Sequence, residues 1–211
     1  MKILIILCSH EMNIANKENI QILKSYFPQA DWCGISNQDD FSNLDIDFKY
    51  KIVNPKKQLS KVCDFISQHH LEYDWFIKTR PEIKLLESVD LSAFSQTSIN
   101  ARARSYRGHQ RIKYGMAVNG PGRYKDIGDC FWSLVEEIVL DDQIYFFHRN
   151  IINQGAFKLI PTYPLENEWT HAKIWKQRGI AFKIIGLNAC LTNHQIFSGD
   201  LIPKHKFIWQ K

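Results

Sequence analysis

The segment Tyr73-Asp74-Trp75-Phe76-Ile77-Lys78-Thr79-Arg80-Pro81-Glu82 sets an apolar run directly against a cation, a hydroxyl, a second cation and a carboxylate. Ligands of open α/β sheets bind outside the carboxyl ends of the strands, which is where these four side chains would stand. The same residues also read as a helix start, with Thr79 as cap, Pro81 in the first turn and Glu82 behind it. A literal Asp-x-Asp occurs at Asp45-Ile46-Asp47, but no apolar strand leads into it, so a solvated loop is expected there rather than a metal site. The pair Asp141-Asp142 follows the helically spaced Ile127, Phe131, Leu134, Val135 and Ile138, and paired carboxylates at a helix start would cap free backbone N–H groups. Arg102, Arg104, Arg107 and Arg111 cluster with Tyr106 and Tyr114, too few for a nucleic-acid surface. His69-His70 ends a helical pattern and reads as structural.

Elements that would position these groups follow from hydrophobic periodicity. Ile3 to Cys8 is continuously apolar rather than alternating, which predicts a strand covered on both faces rather than a secretory leader. Ile20, Leu23 and Phe27 predict a helix closed by Pro28, Trp32 to Ile35 a second strand, and Leu59 to His69 a second helix. Strands alternating with helices over the first 80 residues predict βαβ units and a mostly parallel sheet. Ser98 to Val118, punctuated by glycines, predicts a small antiparallel element. Trp169, Ala172 and Trp175 predict a helix ending at Gly179, and Ala181 to Ile185 a late strand.

Length and composition bound the function. At 211 residues the expectation is one α/β domain over 1–211, with a nucleotide-binding half (1–97) and an irregular, acceptor-side half (98–211). A hydrophobic fraction of 45% excludes disorder. Lys and Arg number 27 against 22 Asp and Glu, a formal charge of +5 that favours an anionic ligand such as a phosphorylated small molecule. Five scattered cysteines without a CxxC suit free thiols in a reducing compartment, the cytoplasm. No apolar run approaches the ~20 residues of a membrane span.

The strand exit at Lys78 to Glu82 resembles that of glycosyltransferases of the GT-A fold, whose Asp-x-Asp motif, in some members Lys-Thr-Asp-Asp-Asp, holds a divalent metal against the diphosphate of a sugar nucleotide. Here Arg80 stands at the first acidic position and Glu82 at the last. The resemblance extends to the order of parts: the opening strand, the glycine-punctuated middle, the Asp141-Asp142 step and a late His194 loop. It is nearest to the GT-A domains that open large glycosyltransferases encoded by chlorella viruses.

What the resemblance implies is a Rossmann-like GT-A domain that transfers a hexose or deoxyhexose from a UDP-sugar donor to a glycan acceptor. Mn²⁺ or Mg²⁺ would be the cofactor, held by Glu82 and, by likeness to a His-Phe-x-Gly loop, His194. Arg80 cannot ligate a metal, but with Lys78 it can neutralise the diphosphate. Ser9 and Asn37 fall where such folds hold uridine and ribose. Asp142, with Asp141 as alternate, would act on the acceptor hydroxyl or beneath the anomeric carbon. No nucleic-acid partner and no membrane span are expected, further domains of a longer chain have room, and a viral member would act in the host cytoplasm. Rival classes are a nucleotidyltransferase-like enzyme consuming UTP and a non-catalytic module binding nucleotide sugars or glycans.

Overall fold

A computed structural model describes residues 1–9, 15–36, 44–52, 58–105, 112–113, 116–117, 138–153, 175, 178–185, 187 and 189–191. The architecture is mixed α/β around a mostly parallel sheet of seven strands, consistent with a Rossmann-like fold. In chain order the elements begin β1 (Ile3–Ser9), α1 (Ala15–Tyr26), β2 (Asp31–Ser36), β3 (Phe48–Lys51), α2 (Gln58–His69), β4 (Trp75–Thr79) and β5 (Ile83–Leu85). They continue with β6 (Ser98–Ser105), β7 (Ile112–Lys113), β8 (Met116–Ala117), β9 (Ile138–His148), α3 (Arg149–Asn153), β10 (Ala181–Ile184) and β11 (Ala189–Leu191). The large sheet has the order β10-β6-β9-β4-β1-β2-β3, while β5 with β11 and β7 with β8 form two-stranded ribbons. Among the seven, β9 alone runs against its neighbours, pairing antiparallel with β4 and β6.

The continuous apolar run of β1 has the reason expected of it. Ile3, Ile5 and Leu7 pack with Ile20 and Leu23 of α1 and with Phe27 just beyond it, while Leu4, Ile6 and Cys8 pack with Val62, Cys63, Phe65 and Ile66 of α2. Side chains alternate across a strand, so a helix on each face requires apolar residues at every position. α1 ends where Pro28 forbids continuation, its last turn closed by Phe27 N–H to the Leu23 carbonyl at 3.1 Å. The tip of α2 is tied locally, His69 Nδ1 lying 2.9 Å from Glu72 and His70 Nδ1 2.7 Å from the Ser67 carbonyl, a structural role for both histidines.

Two expectations change. Asp141 and Asp142 lie inside β9, not at a helix start, because Ile138 to Leu140 and Ile144 to Phe147 are β-prone runs that pair with β6 and β4. The helix expected from Ile127 falls outside the described residues, apart from Ile138, which opens β9. Thr79 to Glu82 likewise starts no helix: β4 ends at Thr79, Pro81 and Glu82 turn, and β5 follows. The late helix is described only at Trp175, whose following turn closes as expected at Gly179 (φ +72°), with Ile180 N–H reaching the Trp175 carbonyl at 2.9 Å.

Asn100 joins β6 to its surroundings. Fully buried, it accepts from Ser95 N–H at 2.8 Å and donates to the carbonyls of Ser95, Ser98 and Phe146 at 2.8, 3.1 and 3.2 Å. Deleting such a hub takes a partner from one buried carbonyl and from three part-buried backbone groups. Asn100→Ala is expected to cost about 2–3 kcal/mol of stability, read by urea denaturation with an unchanged slope; an unaltered midpoint would remove the hub from the account.

Candidate functional site

From β1 the chain crosses through α1 to β2 on one side, and α2 later returns it from β3 to β4 on the other side. The strand order therefore reverses between β1 and β4, and in doubly wound sheets ligands are held outside the carboxyl ends of the strands at such a point. Ser9 ends β1 there, beside Ser36 at the end of β2. Lys78 and Thr79 end β4, with Arg80, Pro81 and Glu82 in the turn beyond.

Lys78 is half-buried, its Nζ 5.5 Å from the centre of the Tyr145 ring across the β4–β9 pair. Arg80 is also mostly covered, and its Nη2 lies 3.5 Å from Oε1 of the buried Glu82. The turn is closed by Ile83 N–H to the Arg80 carbonyl at 3.1 Å, and the Thr79 hydroxyl donates to the same carbonyl at 3.3 Å. Two cations and one carboxylate leave this edge net positive, in surroundings that screen charge poorly. Such an arrangement is suited to an anion with several oxygens.

Other candidates are placed by the backbone. β9 runs antiparallel to β4 with Ile144 opposite Thr79, so the residues preceding Ile144 continue past the end of β4, alongside the Arg80 turn. Against β6 the register shifts between Ala101↔Tyr145 and Ala103↔Leu140, which puts Asp141 to Ile144 opposite the single residue Arg102. The two aspartates thus occupy a bulge beyond the carboxyl end of β4, a device that redirects side chains beside binding sites. β11 pairs with β5 with Leu191 opposite Ile83, next to Glu82. His194 lies outside the described residues. Asn37, Arg107 and Arg111 also lie outside them.

Asp45-Ile46-Asp47 belongs elsewhere. Asp45 Oδ2 is 3.4 Å from Lys24 Nζ, Ile46 is buried, and Asp47 accepts from Trp32 N–H at 2.7 Å, all near the amino ends of β2 and β3.

One residue that the sequence reading passed over joins the site. Asn16 and Asn19 are both buried on α1, and Asn19 Nδ2 donates to the Pro81 carbonyl at 3.0 Å. Their signal was available: positions 16, 19, 20, 23 and 27 share one helical face, so two carboxamides open a stripe that continues as Ile20, Leu23 and Phe27.

Among the described residues no group of three or more His, Cys, Asp or Glu side chains forms a metal site, and no helix is long and apolar enough to cross a membrane. The donor chemistry still admits Mg²⁺ or Mn²⁺, since such ions are commonly held by one or two carboxylates together with substrate phosphates, and Glu82 supplies one. Compared with protein-family models and with curated proteins, the chain matches none.

Cys8, at the end of β1, is a neutral thiol. Burial pushes it up to about 11, against the opposing pull of Lys78 and Arg80. Burial raises Cys33 in the same direction, as it does Tyr73, whose hydroxyl also donates to Asp31 at 2.7 Å. A thiol ionises near its usual 9.0 once unfolded, so the unfolded state loses its proton first and stability falls as pH rises from about 9 to about 11. Melting temperatures across that interval are expected to decline, and Cys8→Ala to decline less steeply; equal slopes would mean that Cys8 does not contribute.

Proposed function

We propose that the chain is a GT-A glycosyltransferase that moves a hexose or deoxyhexose from a UDP-sugar to a glycan hydroxyl. The observation that carries this reading is a convergence: the Lys78–Glu82 turn and the Asp141–Asp142 bulge, about 60 residues apart in sequence, meet at the carboxyl edge where the strand order reverses. One group is suited to a diphosphate and the other to a hydroxyl.

In this reading Lys78 and Arg80 bind the diphosphate and stabilise the charge that accumulates on UDP as its bond to the anomeric carbon breaks. Partial burial strengthens that effect, because fixed cations in a poorly screening site need little reorganisation. Ser9 and Asn37 hold the uridine and ribose side. A Mg²⁺ or Mn²⁺ ion, held by Glu82 and phosphate oxygens with His194 as a further ligand, would add Lewis-acid stabilisation of the departing diphosphate. Asp142, with Asp141 as alternate, takes the proton from the acceptor hydroxyl, or in a retaining course lies beneath the anomeric carbon.

Calorimetric titration with UDP and UDP-hexoses, with and without Mn²⁺, tests the reading, and absence of UDP binding under every condition would sink it. Arg80→Lys keeps the charge but loses the bidentate fork, so UDP affinity is expected to fall roughly tenfold and UMP affinity less. Equal losses for the two nucleotides would separate Arg80 from the diphosphate.

Asp142→Asn is nearly isosteric, and β9 does not depend on a cap at that position. Turnover with a competent acceptor is expected to drop by roughly 10²-fold or more while UDP-sugar affinity and melting temperature hold. Near-normal turnover would return the catalytic role to Asp141 or remove it from the pair.

A further inference from the structure

We propose that Asn19 is a positioning residue for the diphosphate, presetting through the Pro81 carbonyl the turn that carries Arg80 and Glu82. The inference rests on reading the carboxyl ends of β1 and β4 as a nucleotide-diphosphate site.

Asn19 is 3% exposed and sits on the stripe of α1 that otherwise packs Ile20, Leu23 and Phe27 on the sheet. An apolar residue would serve the packing better, since a buried carboxamide is unfavourable unless hydrogen-bonded. Its donation to the Pro81 carbonyl at 3.0 Å supplies that bond across 62 residues of sequence. The accepting group matters. Pro81 is the second residue of the turn closed between Arg80 and Ile83, and its ring fixes φ but leaves ψ free. Rotation about ψ swings the Pro81–Glu82 peptide plane, and with it the direction in which Glu82 leaves the turn. Holding the carbonyl oxygen removes that freedom.

α1 also grips the far side of the turn, where Glu18 Oε1 lies 2.7 Å from Lys84 Nζ on β5. That exposed pair adds little stability by itself. Together the two contacts fix the segment between them, so the Arg80 guanidinium and the Glu82 carboxylate, 3.5 Å apart, stand in place before a ligand arrives. Presetting of this kind raises affinity by lowering the ordering cost of binding.

The test is titration of wild type, Asn19→Ala, Asn19→Leu, Arg80→Lys and the Asn19→Ala/Arg80→Lys double variant with UDP, UMP and inorganic pyrophosphate, each with a melting curve. Asn19→Ala is expected to weaken UDP and pyrophosphate by roughly 5- to 20-fold and UMP less. Asn19→Leu restores the apolar packing without the hydrogen bond, so it should regain melting temperature but not affinity, which a purely structural role would not produce. In the Arg80→Lys background, removing Asn19 should cost less than about twofold, because it acts through the group already altered. Unchanged affinity in Asn19→Ala, recovered affinity in Asn19→Leu, or losses that multiply in the double variant would each overturn the proposal. Wild type that binds pyrophosphate but not UDP would sink the nucleotide reading while the positioning test proceeds on pyrophosphate. Wild type that binds neither would end both.

Discussion

Burial of β1 on both faces is the constraint from which the rest of the arrangement follows. Leu4, Ile5, Ile6 and Leu7 are completely shielded, and a strand so apolar at consecutive positions is stable in water only beneath two layers. α1 supplies one layer and α2 the other, with the intervening strands on opposite sides of β1. The reversal of strand order between β1 and β4 thus accompanies the covering of one hydrophobic strand from both sides. Along the body of β1 every position is taken by packing.

The antiparallel β9 adds what parallel crossovers cannot. Its direction brings residues from its own beginning, rather than its end, past the carboxyl end of β4. A regular ladder would then alternate Asp141 and Asp142 into opposite faces of the sheet. The register against β6 shifts where the aspartates stand. Beyond that shift, Ile144 to Phe147 resume pairing between β4 and β6, their side chains filling both cores. The bulge is tolerated because strong apolar pairing follows it immediately.

Much of this was legible in the residues. β1, α1, β2, α2 and β4 could be read because their signals are local: continuous apolar runs, one-faced periodicity and Pro28 as a stop. The exit at Lys78 to Glu82 was legible for the same reason, as an apolar strand ending abruptly in charge. Its continuation was not, because Pro81 and Glu82 suit a helix start and a turn equally, and the outcome is decided by the pairing of β5 with a strand more than 100 residues away. Asp141-Asp142 misled similarly, since the helical spacing before Ile138 masked two β-prone runs whose partners lie far off in sequence. Asn16 and Asn19 were overlooked through attention to the apolar members of their stripe. The informative feature was the polar interruption.

The state of Cys8 bears on how this strand end treats charge. Two cations act on this thiol and burial still dominates, holding it neutral at the end of a strand packed on both sides. Burial at this strand end therefore disfavours an ionised thiol even with Lys78 and Arg80 acting on it. Glu82, 3.5 Å from Arg80, offsets part of the cost of keeping a mostly buried guanidinium. The same carboxylate limits the net charge of this edge. Through the Pro81 carbonyl the turn is tied to α1, the same helix that covers one face of β1.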